Sequence, residues 1–567
     1  MYELRQKLAG ISEGILKHKF GVSTTVHFDI PLDEGKGDLT TSIALQLSKQ
    51  LRKAPQDIAL ALVEGLKGNE EIESVEVAGA GYVNIQLTPS ALLTELRSVR
   101  EACTPTPPRK GENPVLIDYS APNIAKPLGI HHILSTVIGQ ALKNLHQHLG
   151  YNVIGINYIG DFGTQFGKLA VAAKLWGKKP VTECTVEELL ELYVRFHNEA
   201  EKNPSLEEDA RAVFQALEAG DAKWERFLQD VVRVTMGDVN RLYERLHVSL
   251  DVVRGESYYR KATGSILEEG KKKKVFVEGE GGALIVRFPE QLTLPPAVIQ
   301  KGDGATVYLT RDLAAVRDRI DTWHPQAILY VVDVSQMLHL RQVFASCDLL
   351  GWELPKLEHV VFGHMRFADR SMSTRKGNIL RLQEVLDEAV RRADAVIAEH
   401  EEGIQTDNRA GLAEMMGIGA VVYGILSQNR KMDVVFDWKK VLSLEGNSAP
   451  YLQYTHARAR SVLRKAEEKS ETLPKSAKTL TDRERALGVM LLAFPEALRS
   501  ACDQRFPHTL TNYLYRLCQT FNAFYNVEPI LKAPKTSRVL RLSLTSLTAH
   551  VLKTGAELLT LRVPDRM

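Results

Sequence analysis

The spacing of apolar residues shifts several times along the chain, and each shift predicts a different kind of element. Residues 1–105 begin with helical spacing in LRQKLAGISEGILKH and pass to a strand-like VHFDIPL. EGKGDLTTSIALQLSKQL then reads as a turn and a helix capped near Asp38 or Thr40. IESVEVAGAGYVNIQL alternates as a hairpin does, around Gly79 and Gly81. The order helix, strand, helix, helix, strand, strand makes an α+β unit. CTPTPPRKGENP (Cys103 to Pro114) has no apolar period and is proline-rich, so it reads as a linker.

Beyond the linker the pattern becomes that of a layered α/β domain, over about 113–380. VLID (Val115 to Asp118) is a short apolar run ending in a carboxylate, the mark of a buried strand. A polar loop follows, and then ILSTVIGQALKNLHQHL at helical spacing. Strand, loop and helix in that order form the first unit of a nucleotide-binding fold, with the helix N-terminus aimed at a phosphate. NVIGIN opens a second strand, and AILYVV (Ala327 to Val332) is another buried one. Residues of about 181–300 read as an insertion: amphipathic helices in CTVEELLELYVRFHNEAEKN and Leu206 to Leu246, then a hairpin in FVEGEGGALIVRFPE. From about Leu382 the spacing is helical almost throughout, so 381–567 form an all-α bundle.

Composition narrows the class. At 567 residues the chain should hold three or four domains, at roughly 150 residues each. No apolar run approaches the ~20 residues of a membrane span. The acidic, discontinuous N-terminus is unlike a signal peptide. The five cysteines never form a CxxC, which fits a reducing cytoplasm and predicts no zinc site. Net charge is +2, yet from Lys431 onward there are 22 Lys+Arg against 13 Asp+Glu. That imbalance is consistent with a polyanion partner at the bundle, or with solvated helix faces.

The richest chemistry lies in DYSAPNIAKPLGIHHILST, Asp118 to Thr136. Asp118, Tyr119, Ser120, Ala121, Pro122, Asn123, Ile124, Ala125, Lys126, Pro127, Ser135 and Thr136 resemble the signature of the arginyl-tRNA synthetases, a class I family. The tetrapeptide departs from the family's His-Val-Gly-His. It reads Gly129, Ile130, His131, His132, and Leu134 stands where arginine is frequent. Two readings stay open: a tolerated variant, or altered ATP binding. GDFGTQFG (Gly160 to Gly167), Gly255 to Tyr258 and PPAVIQKGDGATVYLTRDLAAVRDRI also resemble family strings, as does MSTRKGN, Met372 to Asn378. The last is similar to the family's KMSKS loop, with Ser371 and Thr374 at its lysine positions. GDLTTSIAL and GAGYVNIQL resemble the N-terminal tRNA-contacting domain, and EGNSAPYLQYTHAR the start of the anticodon-binding bundle.

The resemblance implies a Rossmann-like catalytic core between an α+β N-terminal domain and the helical bundle. It implies joining of L-arginine to tRNA(Arg) with ATP and Mg2+, by a monomer without a metal cage. Lys126, His131, His132 and Lys376 would stabilise the transferring phosphates, cations at developing charge being the main device in such chemistry. Pro127, Gly129, Ile130, His131, His132, Met372 and Ser373 would hold ATP. Asp118, Ser120, Asn123, Tyr308, Asp312 and Gln336 would bind arginine, whose rigid fork of donors wants carboxylate and carbonyl acceptors. For Asp312 the alternative is an ion pair with Arg311 or Arg317 on its own helix. Tyr454, Arg458, Tyr513, Asn526 and Met567 would meet tRNA, although bundle packing explains an aromatic there equally simply. A non-catalytic tRNA-binding paralogue is the rival reading. A nicotinamide-dependent oxidoreductase is a weaker one, since no GxGxxG follows the first strand.

Overall fold

The computed structural model describes residues 2–31, 36–368, 380–400, 404–466, 473–474 and 477–567. Its centre is a five-stranded parallel sheet. Lys356–His359, Ala327–Tyr330, Val115–Asp118, Val153–Asn157 and Val252–Val253 lie in that order across it. Numbered along the chain, the order from the other edge is 3-2-1-4-5, that of a doubly wound nucleotide-binding sheet. The direction of winding reverses between Val115–Asp118 and Ala327–Tyr330, which pair in register Asp118 to Tyr330. Beyond the carboxyl ends of those two strands lies the switch point, where folds of this kind form their ligand crevice.

Val115–Asp118 is buried at all four positions, as an apolar strand covered on both faces must be. Its helix, His132–His148, is buried over most of its length. That burial depends on Gly139, because a Cβ there would fall 2.3 Å from Tyr119. The helix Tyr308–Trp323 runs into strand Ala327–Tyr330, and Met337–Leu349 runs out of it. Both helices therefore bring their N-terminal turns to, or start at, the carboxyl edge of the sheet.

The span 181–300 is not continuous. Three helices, Val186–Ala200, Ser205–Glu218 and Ala222–Arg245, precede Val252–Val253, which belongs to the central sheet. Two residues carry no readable alternation, so the sequence pattern hides this strand. After it comes a small antiparallel sheet of Phe276–Glu278, Leu284–Val286 and Ala297–Gln300, containing the expected hairpin.

In the N-terminal unit the hairpin Ile72–Ala78 with Tyr82–Leu87 forms as read. The first strand does not. VHFDIPL contributes only an isolated bridge from Asp29 to Thr40, and the third strand of the sheet is Leu39–Thr41. The following helix starts at Ile43 after Ser42, beyond Asp38 and Thr40. Asp38 is engaged elsewhere: its carboxylate accepts from Leu87 N at 2.7 Å and from Arg485 of the bundle at 2.7 Å. A further helix, Pro89–Ala102, is capped by the Thr88 hydroxyl with Pro89 in its first turn.

The bundle packs onto the central helix His132–His148 through Arg409–Leu426, Phe494–Asp503, Pro507–Val527 and Lys535–Leu558, and onto Pro89–Ala102 through Asp482–Leu492. Arg409–Leu426 alone among the described helices is long and apolar enough to cross a membrane, and 72% of it is buried inside the protein.

Candidate active site

The loop after Val115–Asp118 is held in an unusual shape. Ser120, Ala121 and Ala125 have φ of 75°, 49° and 66°, a left-handed region that non-glycine residues adopt only when the surroundings enforce it. The enforcing contacts are specific. Ser120 N donates to Ser135 Oγ at 2.9 Å, and Ser135 Oγ donates to Val331 O at 2.7 Å, so the loop is tied to strand ends on both sides of the crevice. The Ser120 hydroxyl is buried against Thr136 Oγ1 and Tyr243 OH. It serves the loop, so the expected contact of the Ser120 side chain with arginine is replaced by a structural one. Asn123 is exposed, and its segment pairs with Gly160 of the next loop. Asp161 is buried but satisfied: it accepts from Ser257 N at 2.9 Å and from the Ser257 hydroxyl. Thus GDFG and GES, far apart in sequence, form one structural joint.

Asp118 lies 5% exposed at the end of its strand. Its carboxylate accepts from Arg319 Nη2 at 2.7 Å, and Arg319 is 1% exposed. Burial pushes the Asp118 carboxyl up, the Arg319 charge opposes this, and Asp312 pushes it up further. The Arg319 guanidinium faces the rings of Tyr158 and Tyr330 at 5.5 and 5.3 Å. Among the described residues the Tyr259 hydroxyl and Nε of Arg319 are buried without a hydrogen-bond partner, while the Tyr158 hydroxyl interacts with Asp312 and that of Tyr330 with Arg319. This is a buried polar floor that ties Asp118, Arg319 and Asp312 into one network.

Asp312 stands seven residues before Arg319, on the same face of helix Tyr308–Trp323. Its two helix neighbours are committed elsewhere, Arg311 to Glu256 at 2.8 Å and Arg317 to Asp321 at 2.9 Å. The ion pair within its own helix is thereby excluded. Asp312 instead accepts from His339 Nε2, on the helix that leaves the next strand. Burial pulls the His339 imidazole down, but the Asp312 hydrogen bond and charge outweigh it and hold it above its ordinary value. Tyr308, 61% exposed at the helix start, has the Arg311 guanidinium 4.9 Å from its ring. Gln336 is exposed one turn ahead of His339. Asp118 and Asp312 are thus brought within electrostatic reach of each other, while Tyr308, Gln336 and Asn123 are exposed at the carboxyl edge of the sheet.

The tetrapeptide sits at the mouth of the same crevice. His131 caps the helix and its ring stacks on His132 with centroids 3.9 Å apart. Burial, then the neighbouring His131, brings the His132 imidazole down to about 4. Its Nδ1 is 3.3 Å from Gly129 O. Gly129 is buried, Pro127 and Ile130 are half-buried, and Lys126 is exposed. Ile130 N donates to Leu380 O at 3.0 Å, and Leu382 N to Leu128 O at 2.8 Å. The tetrapeptide is therefore zipped to the segment that follows MSTRKGN. Met372, Ser373 and Lys376 themselves lie outside the described residues.

A second candidate site is a cavity of about 970 Å3 in the bundle. Tyr454, Arg458 and Met567 line it with Tyr525, Arg464, Lys465, Lys532 and Arg566. Arg458 lies between Tyr454 and Tyr525, 4.7 and 5.2 Å from their ring centroids. Tyr513 is elsewhere. It is 8% exposed, packs on Phe494, and donates its hydroxyl to Met490 O at 3.0 Å, so no face is left for a base. Asn526 is exposed and does not line the cavity.

Sequence reasoning missed Arg319, His339 and Tyr525. Arg319 had a signal: a basic residue seven positions after Asp312, on a helix that feeds the strand beside Asp118.

Family models match nearly the whole chain. Residues 3–87 match the arginyl tRNA synthetase N terminal domain, 100–438 the tRNA synthetases class I (R) catalytic domain, and 452–567 the DALR anticodon binding domain. An arginine–tRNA ligase of Fusobacterium nucleatum is 38% identical over 546 residues, 96% of this chain and 95% of that protein. One from Alkaliphilus metalliredigens is 37% identical over 549 residues, covering 95% of each. The solved arginyl-tRNA synthetase of Thermus thermophilus superposes with a TM-score of 0.81 at 28% identity, covering 100% of both chains.

Proposed function

The chain belongs to the class I arginyl-tRNA synthetases and is an arginine–tRNA ligase, and from that premise we propose how its residues divide the work. The arginine carboxylate attacks the α-phosphate of ATP, forming arginyl-adenylate and releasing pyrophosphate. A ribose hydroxyl of the terminal tRNA adenosine then attacks the adenylate and releases AMP. No side chain forms a covalent bond, so catalysis rests on placement and charge.

Asp312 receives the guanidinium of arginine. It is the acceptor in the crevice with no cationic partner but a titratable histidine. Asp118 acts from beneath, its charge held in place by Arg319. Tyr308, Asn123 and Gln336 supply polar contacts from the open side. A lysine or citrulline would leave this acceptor set unmatched, which is how a buried polar site rejects a near-isostere. Lys126, with Lys376 and the two histidines, meets the phosphates, and Pro127, Gly129, Ile130, Met372 and Ser373 seat the nucleotide. The proton of neutral His132 belongs on Nδ1, facing Gly129 O. A phosphate at Nε2 would then favour the imidazolium. Mg2+, carried on the ATP phosphates, supplies further positive charge, and no protein cage is assigned to it. The cavity around Tyr454, Arg458 and Met567 receives unpaired anticodon bases, since aromatic faces beside basic groups suit stacked single-stranded bases. We read the enzyme as a cytoplasmic monomer whose arginine activation waits for bound tRNA.

The observation that supports this reading is the juxtaposition of Asp118 and Asp312 at the switch point of the sheet. Transfer of radiolabelled arginine to tRNA(Arg) tests it, with wild type compared against Lys126→Ala. Charging by the wild type and its loss in Lys126→Ala are expected. An inert wild type would leave the non-catalytic paralogue standing.

A further inference from the structure

We propose that Tyr193, on the inserted helix Val186–Ala200, is a positioning residue for Lys126. The proposal rests on the reading of Lys126 as a cation that meets the phosphates. Lys126 is exposed and its stem is flexible, so something must hold its ammonium if that charge is to be pre-aimed. The Lys126 ammonium lies 5.3 Å from the centroid of the Tyr193 ring, inside the ~6 Å reach of a cation–π contact.

The ring is itself fixed. His197, one turn on, meets it edge to face with centroids 4.7 Å apart, and the helix is anchored by Leu189 and Phe196, both fully buried. The backbone next to Lys126 is fixed by the insertion as well. Ala125, in its left-handed conformation, donates its N–H to Thr235 Oγ1 at 3.1 Å, on helix Ala222–Arg245. The same helix as Tyr193 also reaches the other half of the nucleotide site. Glu187 lies 3.7 Å from Arg381, whose backbone pairs with Gly129. Two inserted helices therefore hold Lys126, one through the backbone of its neighbour Ala125 and one through its side chain, and the latter touches the segment that zips the tetrapeptide. The insertion is a frame that aims a catalytic charge.

A tyrosine ring and a phenylalanine ring both offer a cation a π face, whereas leucine fills space without one. The test uses the full-length enzyme with tRNA(Arg), arginine and ATP, comparing Tyr193→Leu, Tyr193→Phe and Lys126→Ala. Tyr193→Leu should lower kcat by roughly fivefold, with KM for arginine and the melting temperature unchanged. Tyr193→Phe should stay within about twofold of wild type. The positioning role is overturned if Tyr193→Leu charges tRNA as the wild type does, if Tyr193→Phe is as impaired as Tyr193→Leu, or if the loss tracks a fall in melting temperature. Lys126→Ala separates the two levels. Near-normal charging by that variant removes the assignment of Lys126 itself. Its inactivity alongside a fully active Tyr193→Leu removes only the role of Tyr193.

Discussion

The crevice and the bundle cavity each set a guanidinium among aromatic rings, and they do so to opposite ends. In the crevice Arg319 is sealed, paired to Asp118 and walled by Tyr158 and Tyr330. In the cavity Arg458 is open to solvent space, bonded to Asn522 and bracketed by Tyr454 and Tyr525. In the function proposed above, the first arrangement keeps an anionic acceptor in place under a small cationic ligand. The second presents stacking faces and positive charge to a large anionic one. The same residue types thus serve as internal scaffold at one end and as contact surface at the other, and burial decides which.

Truncating the buried arginine and removing a ring from the cavity should expose that difference most strongly. Arg319→Met leaves Asp118 buried without its counter-charge, a change that costs about 3–5 kcal/mol when a buried pair loses one member. Thermal unfolding should show a large drop in melting temperature. Removing a ring from the cavity should behave in the reverse manner. Tyr454→Ala should keep the melting temperature and raise KM for tRNA(Arg) roughly tenfold, since a base–aromatic stack is worth about 1–3 kcal/mol. A cavity variant that unfolds, or a crevice variant that stays fully stable, breaks the comparison.

The smallest effect expected is one of pH. The His339 pKa is raised, so the imidazolium–Asp312 pair contributes stability below the ordinary histidine value of about 6.5 and loses it as pH rises through the raised value. Loss of that proton frees Asp312 for the substrate guanidinium. KM for arginine should therefore fall by a few fold as pH rises from about 6.5 through the raised His339 value. His339→Asn should flatten the profile.

What could be read in advance follows the same division. The unit Val115 to Leu149 was legible because an apolar run, a polar loop with prolines and a helical period each have their own physical signature, and the strand ended at Asp118 as read. The catalytic loop was legible through its resemblance to a family. The geometry that makes it work was not. That the Ser120 hydroxyl turns inward depends on Thr136 and Tyr243, the latter over a hundred residues away. In the bundle, Tyr454 and Tyr513 sit on helices of similar pattern, yet one lines a cavity and the other fills the core. Helical spacing identifies an apolar face without saying what packs against it. The strand Val252–Val253 was too short to announce itself, and VHFDIPL had the composition of a strand without a full partner for its edge.

The central claim is that Asp312 receives the guanidinium of arginine, and steady-state charging by Asp312→Asn tests it most directly. The amide keeps the shape and removes the charge, so kcat/KM for arginine should fall by at least about a hundredfold while KM for tRNA(Arg) stays within about twofold. Arginine charging by Asp312→Asn at near wild-type efficiency would contradict the assignment.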